Sequence, residues 1–413
     1  MREPPRTPEV RPRTGWHTER MIAARLLDVL LILLLLVYLG EGIRNGFVRS
    51  VSAMLGVIAG GIVAFFLTPL LAAIIPDPFW RTFTIVAAAG VLLLGGHALG
   101  ALVGRSLRRR RQGLNPIDRF FGGIANLVVA ALLIGTIGSG IGGLGIPILS
   151  SAAGNSYVLK AISTATPDPL EAALAQLRST VLSEGLPELP NFGGVTPSAP
   201  PTGPTDTDAL QRSAQSVVRI NGTAYACGQN QSGSGFVVSP GRVVTNAHVV
   251  AGVTRPVVEA ANGNGQALEA SVVFFDPEKD LAVLAVPGLQ VAPLTMGSSL
   301  GVGADAVVDG YPYGGPFTTG PAKVLAVTRS GVDDIYDRQK AVREIYSLNA
   351  NVQPGNSGGP LLSTDGRIAG IVFARSANQA NLGYAMTDSE LAPVVQRAPG
   401  LSAAVSSGTC VKE

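Results

Sequence analysis

Residues 353 to 360 read QPGNSGGP, in which one serine, Ser357, stands among three glycines with Pro354 and Pro360 on either side. Glycine is costly to order, so a glycine-dense stretch suggests a backbone conformation or a close approach that a side chain would forbid. An ordinary glycine-rich turn is the simplest interpretation. The alternative is a loop shaped to present the Ser357 hydroxyl, and the rest of the chain must decide between the two.

Composition divides the chain into an apolar part and a more ordinary part. Of its 413 residues 46% are hydrophobic and only 14% are charged, whereas soluble proteins average about 25% charged residues. The apolar excess lies in the first third, which predicts a membrane part joined to a soluble part. The net charge of +3 is small, and no basic face with interleaved aromatic residues is evident, so we do not expect nucleic acid to be a partner.

Four apolar segments follow a polar start. Residues 1–20 are rich in arginine and proline and are predicted to be a flexible tail. Within 21–150 we expect a four-helix membrane domain, because each apolar segment is close to the ~20 residues that cross a bilayer as a helix. Buried helices of a soluble protein are the alternative, which four such segments in succession disfavour. The predicted helices are 21–40, 51–75, 82–104 and 120–141.

Arginine placement predicts the orientation of these helices. The loop GRSLRRRRQGLNPIDR at 104–119 is strongly basic, and basic loops stay in the cytoplasm. Everything after the fourth segment is then outside the cell membrane. The arginine-containing tail also falls outside if four segments cross, so one of the two basic regions departs from the rule. Cys227 and Cys410 would be free thiols in a reducing compartment and a disulfide in an oxidising one, and their sequence separation does not choose.

Residues 151–206 are predicted to be a connector. DPLEAALAQLRSTVLSEG at 168–185 has the Leu and Ala spacing of a helix. The following LPELPNFGGVTPSAPPTGPTDTD is rich in Pro, Gly and Thr, so we expect a semi-extended tether with no core of its own and a domain boundary near residue 206. In 207–413 short runs of Val, Ile and Ala alternate with Gly, Pro and Asn turns, which predicts an all-β domain of two small barrels.

Three residues of this all-β domain form a catalytic hypothesis. His248 is its single histidine, Asp280 directly precedes an apolar strand, and Ser357 lies in the glycine turn. Together they supply a base, a group that orients the base, and a nucleophile. Asp276 is the competing carboxylate. The order His, Asp, Ser differs from the orders of subtilisin-type enzymes and of α/β-hydrolases.

TNAHVV, DLAVL and GNSGGP, in this order and approximate spacing, resemble the chymotrypsin-like serine proteases, and the resemblance extends from about residue 208 to the end. It implies a double β-barrel without cofactor or metal, in which Ser357 attacks a carbonyl, His248 moves the proton and Asp280 holds His248. The backbone at Gly355, Asn356 and Ser357 would form the oxyanion hole.

The same resemblance places Asn351, Ala374 and Arg375 around the primary specificity pocket. None of the three is acidic, so it gives no support for a strict preference for Lys or Arg. Asn356 stands where trypsin relatives have an aspartate that pairs with a newly cut N-terminus. That activation switch should therefore be absent, as in the bacterial HtrA-type proteases.

The membrane part carries its own resemblance. DVLLILLLLVYLGEGIRNGFVRS and NPIDRFFGG look like the colicin V production (CvpA-type) membrane family. Such a part fused to a chymotrypsin-like domain resembles the MarP-type acid-resistance proteases of actinobacteria. This implies a multi-pass inner-membrane protein in the lipid bilayer, with an extracytoplasmic serine endopeptidase that cleaves envelope proteins or peptides under acid and oxidative stress. It also implies a disulfide between Cys227 and Cys410, and self-cleavage in the linker is a further expectation.

Two hypotheses of other classes stay open. The first is a catalytically idle envelope sensor or scaffold that binds unfolded proteins, against which the complete set of His248, Asp280 and Ser357 argues. The second is a transporter or channel that the β domain regulates. The near absence of charged residues inside the four apolar segments speaks against an ion path.

Overall fold

The computed structural model describes residues 15–74, 78–109, 116–143, 152–153, 155–179, 186–197, 201–224, 226–227, 229–260 and 267–411. The chain divides into two compact units. One is helical and spans Val29–Gly135. The other holds the two flanking parts of the chain, Met1–Asp28 and Thr136–Glu413, and includes the β structure.

Four long helices account for the four predicted apolar segments. Each contains a stretch long and apolar enough to cross a membrane. All of their ends except the C-terminal end of the second helix, Ile74 against a predicted 75, lie beyond the predicted ones. Hydropathy marks the stretch that lipid can cover, whereas a helix continues until a residue stops it. Gly46, with φ +73°, separates the first two helices, and a proline begins each of the last two, where its missing N–H does no harm. The helices are α1 Gly15–Asn45, α2 Phe47–Ile74, α3 Pro78–Arg109 and α4 Pro116–Gly143.

The predicted flexible tail ends earlier than expected. Residues 15–20 belong to α1, so the prediction of a flexible tail as far as residue 20 is wrong for these six positions. The preceding part of the predicted tail, 1–14, lies outside the described residues. A polar sequence without helix breakers can extend an apolar helix, and composition alone does not reveal this.

Glycines let α2 and α3 approach each other closely. A Cβ added at Gly56 would overlap the carbonyl oxygen of Gly96, and one added at Gly100 would overlap that of Ser52. Small residues allow such backbone contact between membrane helices. Large apolar side chains point outward instead, as Leu94, 73% exposed, illustrates. Small residues at the helix contact and large apolar side chains on the outer surface are what a lipid environment favours.

Two shorter helices follow α4, namely α5 Tyr157–Ala165 and α6 Asp168–Ser179. The buried carboxylate of Asp28, in the first part of α1, caps α5 by accepting hydrogen bonds from Ser156 Oγ (2.6 Å) and from the backbone N–H of Val158 (3.2 Å). Asp28 of α1 therefore contacts the segment that follows α4.

The prediction of a coreless tether up to residue 206 is wrong for residues 186–197. Leu186 is only 7% exposed, and β1 Glu188–Leu189 pairs with a later strand of the same unit, opposite Arg375 and Ser376. The ring of Phe192 packs edge-on against Tyr384, with 5.5 Å between centroids. The reason is spacing: apolar residues recur at 186, 189, 192 and 195 between the prolines, so the segment can bury one side.

The β structure consists of two seven-stranded sheets, which confirms the predicted pair of β-barrels. The first sheet has the order β6-β5-β2-β3-β4-β8-β7, and the second has the order β1-β13-β12-β9-β10-β11-β14, with β13 also pairing with β14 to close it. The first contains β2 Val217–Ala224, β3 Gln229–Ser239, β4 Arg242–Thr245, β5 Val257–Ala260, β6 Ala267–Glu269, β7 Ser271–Asp276 and β8 Leu281–Ala285. Besides β1, the second contains β9 Asp305–Gly310, β10 Thr318–Asp333, β11 Lys340–Ala350, β12 Pro360–Ser363, β13 Ile368–Ser376 and β14 Leu382–Thr387.

Three helices and a disulfide complete this unit. The helices are α7 Asp208–Ala214, α8 Ala247–Val250 and α9 Asp388–Arg397. Cys227, after β2, is bonded to Cys410 near the C-terminus, with 6.6 Å between their Cα atoms. The bond closes a loop with a sequence separation of 183, so it ties the beginning of the first barrel to the end of the chain.

Candidate active site

The structure brings His248 and Asp280 into direct contact. His248 lies on the one-turn helix α8, directly after β4, and Asp280 lies just before β8. The antiparallel pairing of β4 with β8 places both residues at the same end of the first barrel. His248 Nδ1 lies 2.8 Å from Asp280 Oδ2, and the His248 backbone N–H donates to Asp280 Oδ1 at 2.9 Å. With Nδ1 engaged, Nε2 is the nitrogen left for chemistry.

The backbone conformation of Asp280 and the groups packed around it also hold this residue in position. It has a left-handed backbone, φ +54°, which Asp tolerates better than most residues, and its carbonyl accepts a hydrogen bond from Asn246 Nδ2 at 2.8 Å. The guanidinium of Arg343, 1% exposed, donates to the carbonyls of Glu278 and Asp333. Burial lowers the pKa of Arg343, while the charge of Asp280 opposes this effect. A buried cation thus lies within the electrostatic reach of Asp280.

The competing carboxylate, Asp276, has a different role. Its Oδ1 accepts hydrogen bonds from the backbone N–H groups of Glu278 (3.0 Å) and Lys279 (2.9 Å). It therefore closes the turn that leads to Asp280, and it is Asp280 that meets His248.

The loop around Ser357 owes its shape to two left-handed glycines. Gly355 has φ +91° and Gly358 has φ +81°. A Cβ at Gly355 would overlap the carbonyl oxygen of Tyr311, and one at Gly358 would overlap the carbonyl oxygen of Ser234. Within the described residues, the N–H groups of Gly355 and Ser357 donate to no acceptor. Both are therefore available to a negatively charged oxygen.

Ser234 organises this loop, and the sequence analysis did not single it out. Its hydroxyl donates to the Gly355 carbonyl (2.7 Å) and accepts from the Tyr311 N–H (2.9 Å), while its own N–H donates to the Ser357 carbonyl (2.8 Å). Ser234 belongs to β3 of the first barrel, so it fastens the serine loop to the histidine-bearing barrel. The only signal for it was its position between two glycines in GSGF.

Ser357 and His248 are both buried at the junction of the barrels, with exposures of 2% and 8%. Ser357 Oγ and His248 Nε2 each lack a hydrogen-bond partner in the part of the chain that the structure describes. Catalytic hydrogen bonds are often long or poorly aligned before substrate binds. The arrangement supplies a nucleophile and a base, each without a competing partner.

Asn356 bonds within its own loop. Its Oδ1 accepts from the Gln353 N–H (2.9 Å), and its backbone N–H donates to the Gln353 carbonyl (3.0 Å). A neutral amide thus holds the turn closed without an ion pair.

The three predicted pocket residues differ in exposure and in contacts. Asn351 is exposed and accepts a hydrogen bond from the Gln353 side chain. Ala374 is fully buried, and the Arg375 guanidinium donates to Glu188 at 2.7 Å. In the described ranges no group of three or more His, Cys, Asp or Glu side chains could hold a metal ion.

Comparison with known proteins agrees with this geometry. A trypsin-like peptidase domain model matches residues 233–371, and a colicin V production protein model matches residues 27–167. The serine protease Rv3671c of Mycobacterium tuberculosis is 32% identical over 400 residues, covering 95% of this chain and 100% of the relative. The chain belongs to the MarP-type family of membrane serine proteases. It is a serine endopeptidase with a CvpA-type membrane part, as the resemblance implied.

Other relatives match the protease unit of this MarP-type chain. The putative serine protease HhoA of Synechocystis is 36% identical over 163 residues, covering 37% of this chain and 39% of HhoA. The crystal structure of the active form of the Rv3671c protease from M. tuberculosis is 38% identical with a TM-score of 0.51, and the match covers 55% of this chain and 100% of that one. These matches show a chymotrypsin-like protease fold.

Proposed function

We propose that this protein is an extracytoplasmic protease of the inner membrane that cleaves envelope proteins through an acyl-enzyme at Ser357, under acid and oxidative stress. The observation that carries the chemistry is the His248–Asp280 contact, together with a serine loop in which the N–H groups of Gly355 and Ser357 donate to no acceptor among the described residues. The envelope location and the stress role rest on the resemblance to MarP-type proteases. The basic loop at 104–119, which the positive-inside rule places in the cytoplasm, supports the orientation.

The proposed mechanism assigns one task to each group. Asp280 holds Nδ1–H of His248, which leaves Nε2 as the acceptor for the Ser357 proton. Ser357 Oγ then attacks the substrate carbonyl, and the N–H groups of Gly355 and Ser357 stabilise the oxyanion. His248 next delivers its proton to the leaving amine, and a water activated by the same nitrogen releases the acyl group.

Two features of the connector concern self-cleavage. Residues 201–207 have no regular secondary structure and are mostly exposed, which is the kind of segment that proteases cut. Among the described residues of the linker, 201–207 are therefore the proposed site of self-cleavage. Residues 186–197, which are ordered against the second barrel, are poor candidates.

The test of catalysis is labelling of the full-length protein in detergent with a fluorophosphonate probe. We expect one adduct on Ser357, and loss of both labelling and peptide hydrolysis in Ser357→Ala, by about 10⁴-fold or more in kcat. Ser299→Ala, which changes an exposed serine of the same unit, is the matched control and should keep both. Hydrolysis that persists in Ser357→Ala would refute the assignment, and absence of any adduct in the wild type would favour the idle scaffold.

The stress role needs a cellular experiment. A host strain lacking the gene should lose viability in mildly acidic medium, and the wild-type gene should restore it while Ser357→Ala should not. Proteomic comparison of envelope protein termini in these two complemented strains would reveal the substrates. Equal rescue by Ser357→Ala would show that the stress role, if any, does not depend on proteolysis.

A further inference from the structure

One edge of β13 passes the catalytic serine. The other edge of this strand pairs with β14 from Gly370 to Arg375. On the serine side β13 pairs first with β12, up to Ile371, and then bonds the serine loop, since Val372 exchanges hydrogen bonds with Gly358 and Gly359. Beyond Val372 this edge offers backbone N–H and C=O groups next to the site. Extended peptides bind proteins by adding a strand to such an edge.

The chain's own residues occupy this edge. Arg375 N–H donates to the Pro187 carbonyl, and Ala377 N–H donates to the Leu189 carbonyl, both at 3.1 Å. The pairing is parallel, with Glu188 opposite Arg375. The Glu188 carboxylate also accepts from the Arg375 guanidinium at 2.7 Å. A substrate strand cannot use these amides while β1 holds them.

The same segment lines a cavity together with His248 and Asp280. A cavity of about 490 Å³ is lined by His248, Asp280 and Phe373, and also by the continuous segment Leu186–Pro190. The segment therefore faces the same cavity as His248, the base of the proposed mechanism.

Leu186 is the apolar anchor of the segment. It is 7% exposed and belongs to the buried cluster that contains Val352, Val372 and Ala385. Val352 directly follows Asn351, the predicted floor of the primary pocket, and Val372 lies two residues before Ala374, its predicted wall. The side chain of Leu186 thus packs into a buried cluster that includes close sequence neighbours of two predicted pocket residues.

We propose that Leu186–Leu189 is a built-in occupant of the peptide-binding cleft, which closes the primary pocket and the β13 edge in the resting enzyme and which substrate must displace. This inference rests on the proposed function. The N–H groups of Arg375 and Ala377 already bind the carbonyls of Pro187 and Leu189, so these two carbonyls are held by the β13 edge and its continuation. The pocket that Leu186 closes would take an aliphatic side chain of similar size from a substrate.

The following residues can stay in place while the occupant leaves. Phe192 packs on Tyr384, its carbonyl accepts from Ser347 Oγ (3.0 Å), and the Pro190 carbonyl accepts from Tyr384 OH (3.0 Å). This second anchor would hold residues 186–189 close to the cleft after release. Rebinding would then be an intramolecular event, which is favoured by a high effective concentration.

The test compares full-length variants in detergent by kcat/KM for a peptide with leucine before the scissile bond. Leu186→Asp places a charge in an apolar site, so the occupant should leave, and we expect kcat/KM to rise about tenfold or more, mainly through a lower KM. Leu186→Ala should give a smaller rise in kcat/KM, and this variant provides the test if Leu186→Asp folds poorly. Leu170→Asp, at an exposed leucine of α6, is the matched control and should match the wild type.

A second experiment supplies the segment as a free peptide to the variant from which it should be displaced. A synthetic peptide with the sequence of residues 186–192, LPELPNF, should inhibit Leu186→Asp competitively, whereas a scrambled peptide should not. Equal kcat/KM in the wild type and both Leu186 variants, with normal fluorophosphonate labelling of Ser357, would overturn the inference and leave the proposed function standing. A fall in kcat/KM in a folded Leu186→Ala variant would also overturn it. Absence of labelling in every variant would instead be a failure of the proposed function.

Discussion

The helical unit and the protease unit use glycine for opposite purposes. In α2 and α3 the glycines are helical, and the missing side chain of Gly96 lets a neighbouring carbonyl come close. At the active site Gly355 and Gly358 have left-handed backbones that an L side chain would strain. In the first unit glycine sets the distance between two surfaces, and in the second it sets the direction in which an N–H points.

Two buried carboxylates, one in α1 and one in the second barrel, also differ in their hydrogen bonding. Asp28, in α1, accepts hydrogen bonds from Ser156 and from two backbone N–H groups of α5. Asp309, on β9 of the second barrel, is fully buried, and neither of its oxygens has a hydrogen-bond partner among the described residues. A satisfied carboxylate holds structure together, whereas an unsatisfied one makes stability depend on protonation.

The largest expected effect concerns Asp309. Burial raises its pKa from 3.8 to about 7, and the Thr319 hydroxyl opposes this shift. Between about pH 4 and 7 the folded protein holds a proton that the unfolded chain has lost, so the free energy of unfolding should fall as pH rises through this window, by up to about 4 kcal/mol. Asp309→Asn should remove this dependence and stabilise the protein at neutral pH.

Melting temperatures of the full-length protein from about pH 5 to 8 would measure this effect. The control is Asp305→Asn on the same strand, where the carboxylate is exposed and paired with Lys323. This control should keep the wild-type slope. A wild-type slope in Asp309→Asn as well would show that another group carries the dependence.

The next largest effect tests the directional use of glycine. Gly355→Ala adds a Cβ that overlaps the Tyr311 carbonyl at a residue with φ +91°. The turn must move, and the Gly355 N–H with it, so kcat should fall about 100-fold or more, as on losing one oxyanion donor. Steady-state kinetics on a peptide substrate would measure the loss.

Gly303→Ala provides the matched comparison. Gly303 also has a positive φ, +86°, but an added Cβ would meet nothing within 4 Å. It should cost some stability through strain and leave kcat unchanged. Equal losses of kcat in the two variants would mean that backbone strain in general, and not the oxyanion turn, limits catalysis.

The sequence predicted the parts of this protein that depend on local pattern. The four apolar segments and the alternation of short strands with turns predicted the fold class. Three short motifs predicted the contact between His248 and Asp280. The role of Ser234 and the burial of Arg343 were not predicted, because both act across strands distant in sequence. The packing of residues 186–197 was missed because proline content suggested a tether, whereas four spaced apolar residues bury the segment.

The smallest expected effect tests glycine as a spacer in the helical unit. Gly96→Leu forces α2 and α3 apart, since even a Cβ there overlaps the Gly56 carbonyl. Overpacking of this kind costs about 1–3 kcal/mol, so the membrane part should denature at a lower temperature in detergent. Gly95→Leu is the control, because a Cβ at Gly95 meets nothing within 4 Å and the larger side chain can point toward lipid. Peptide hydrolysis should be unchanged in both, since both residues belong to the helical unit and neither is part of the proposed catalytic site. Equal melting temperatures for the two variants would show that close backbone approach does not hold α2 against α3.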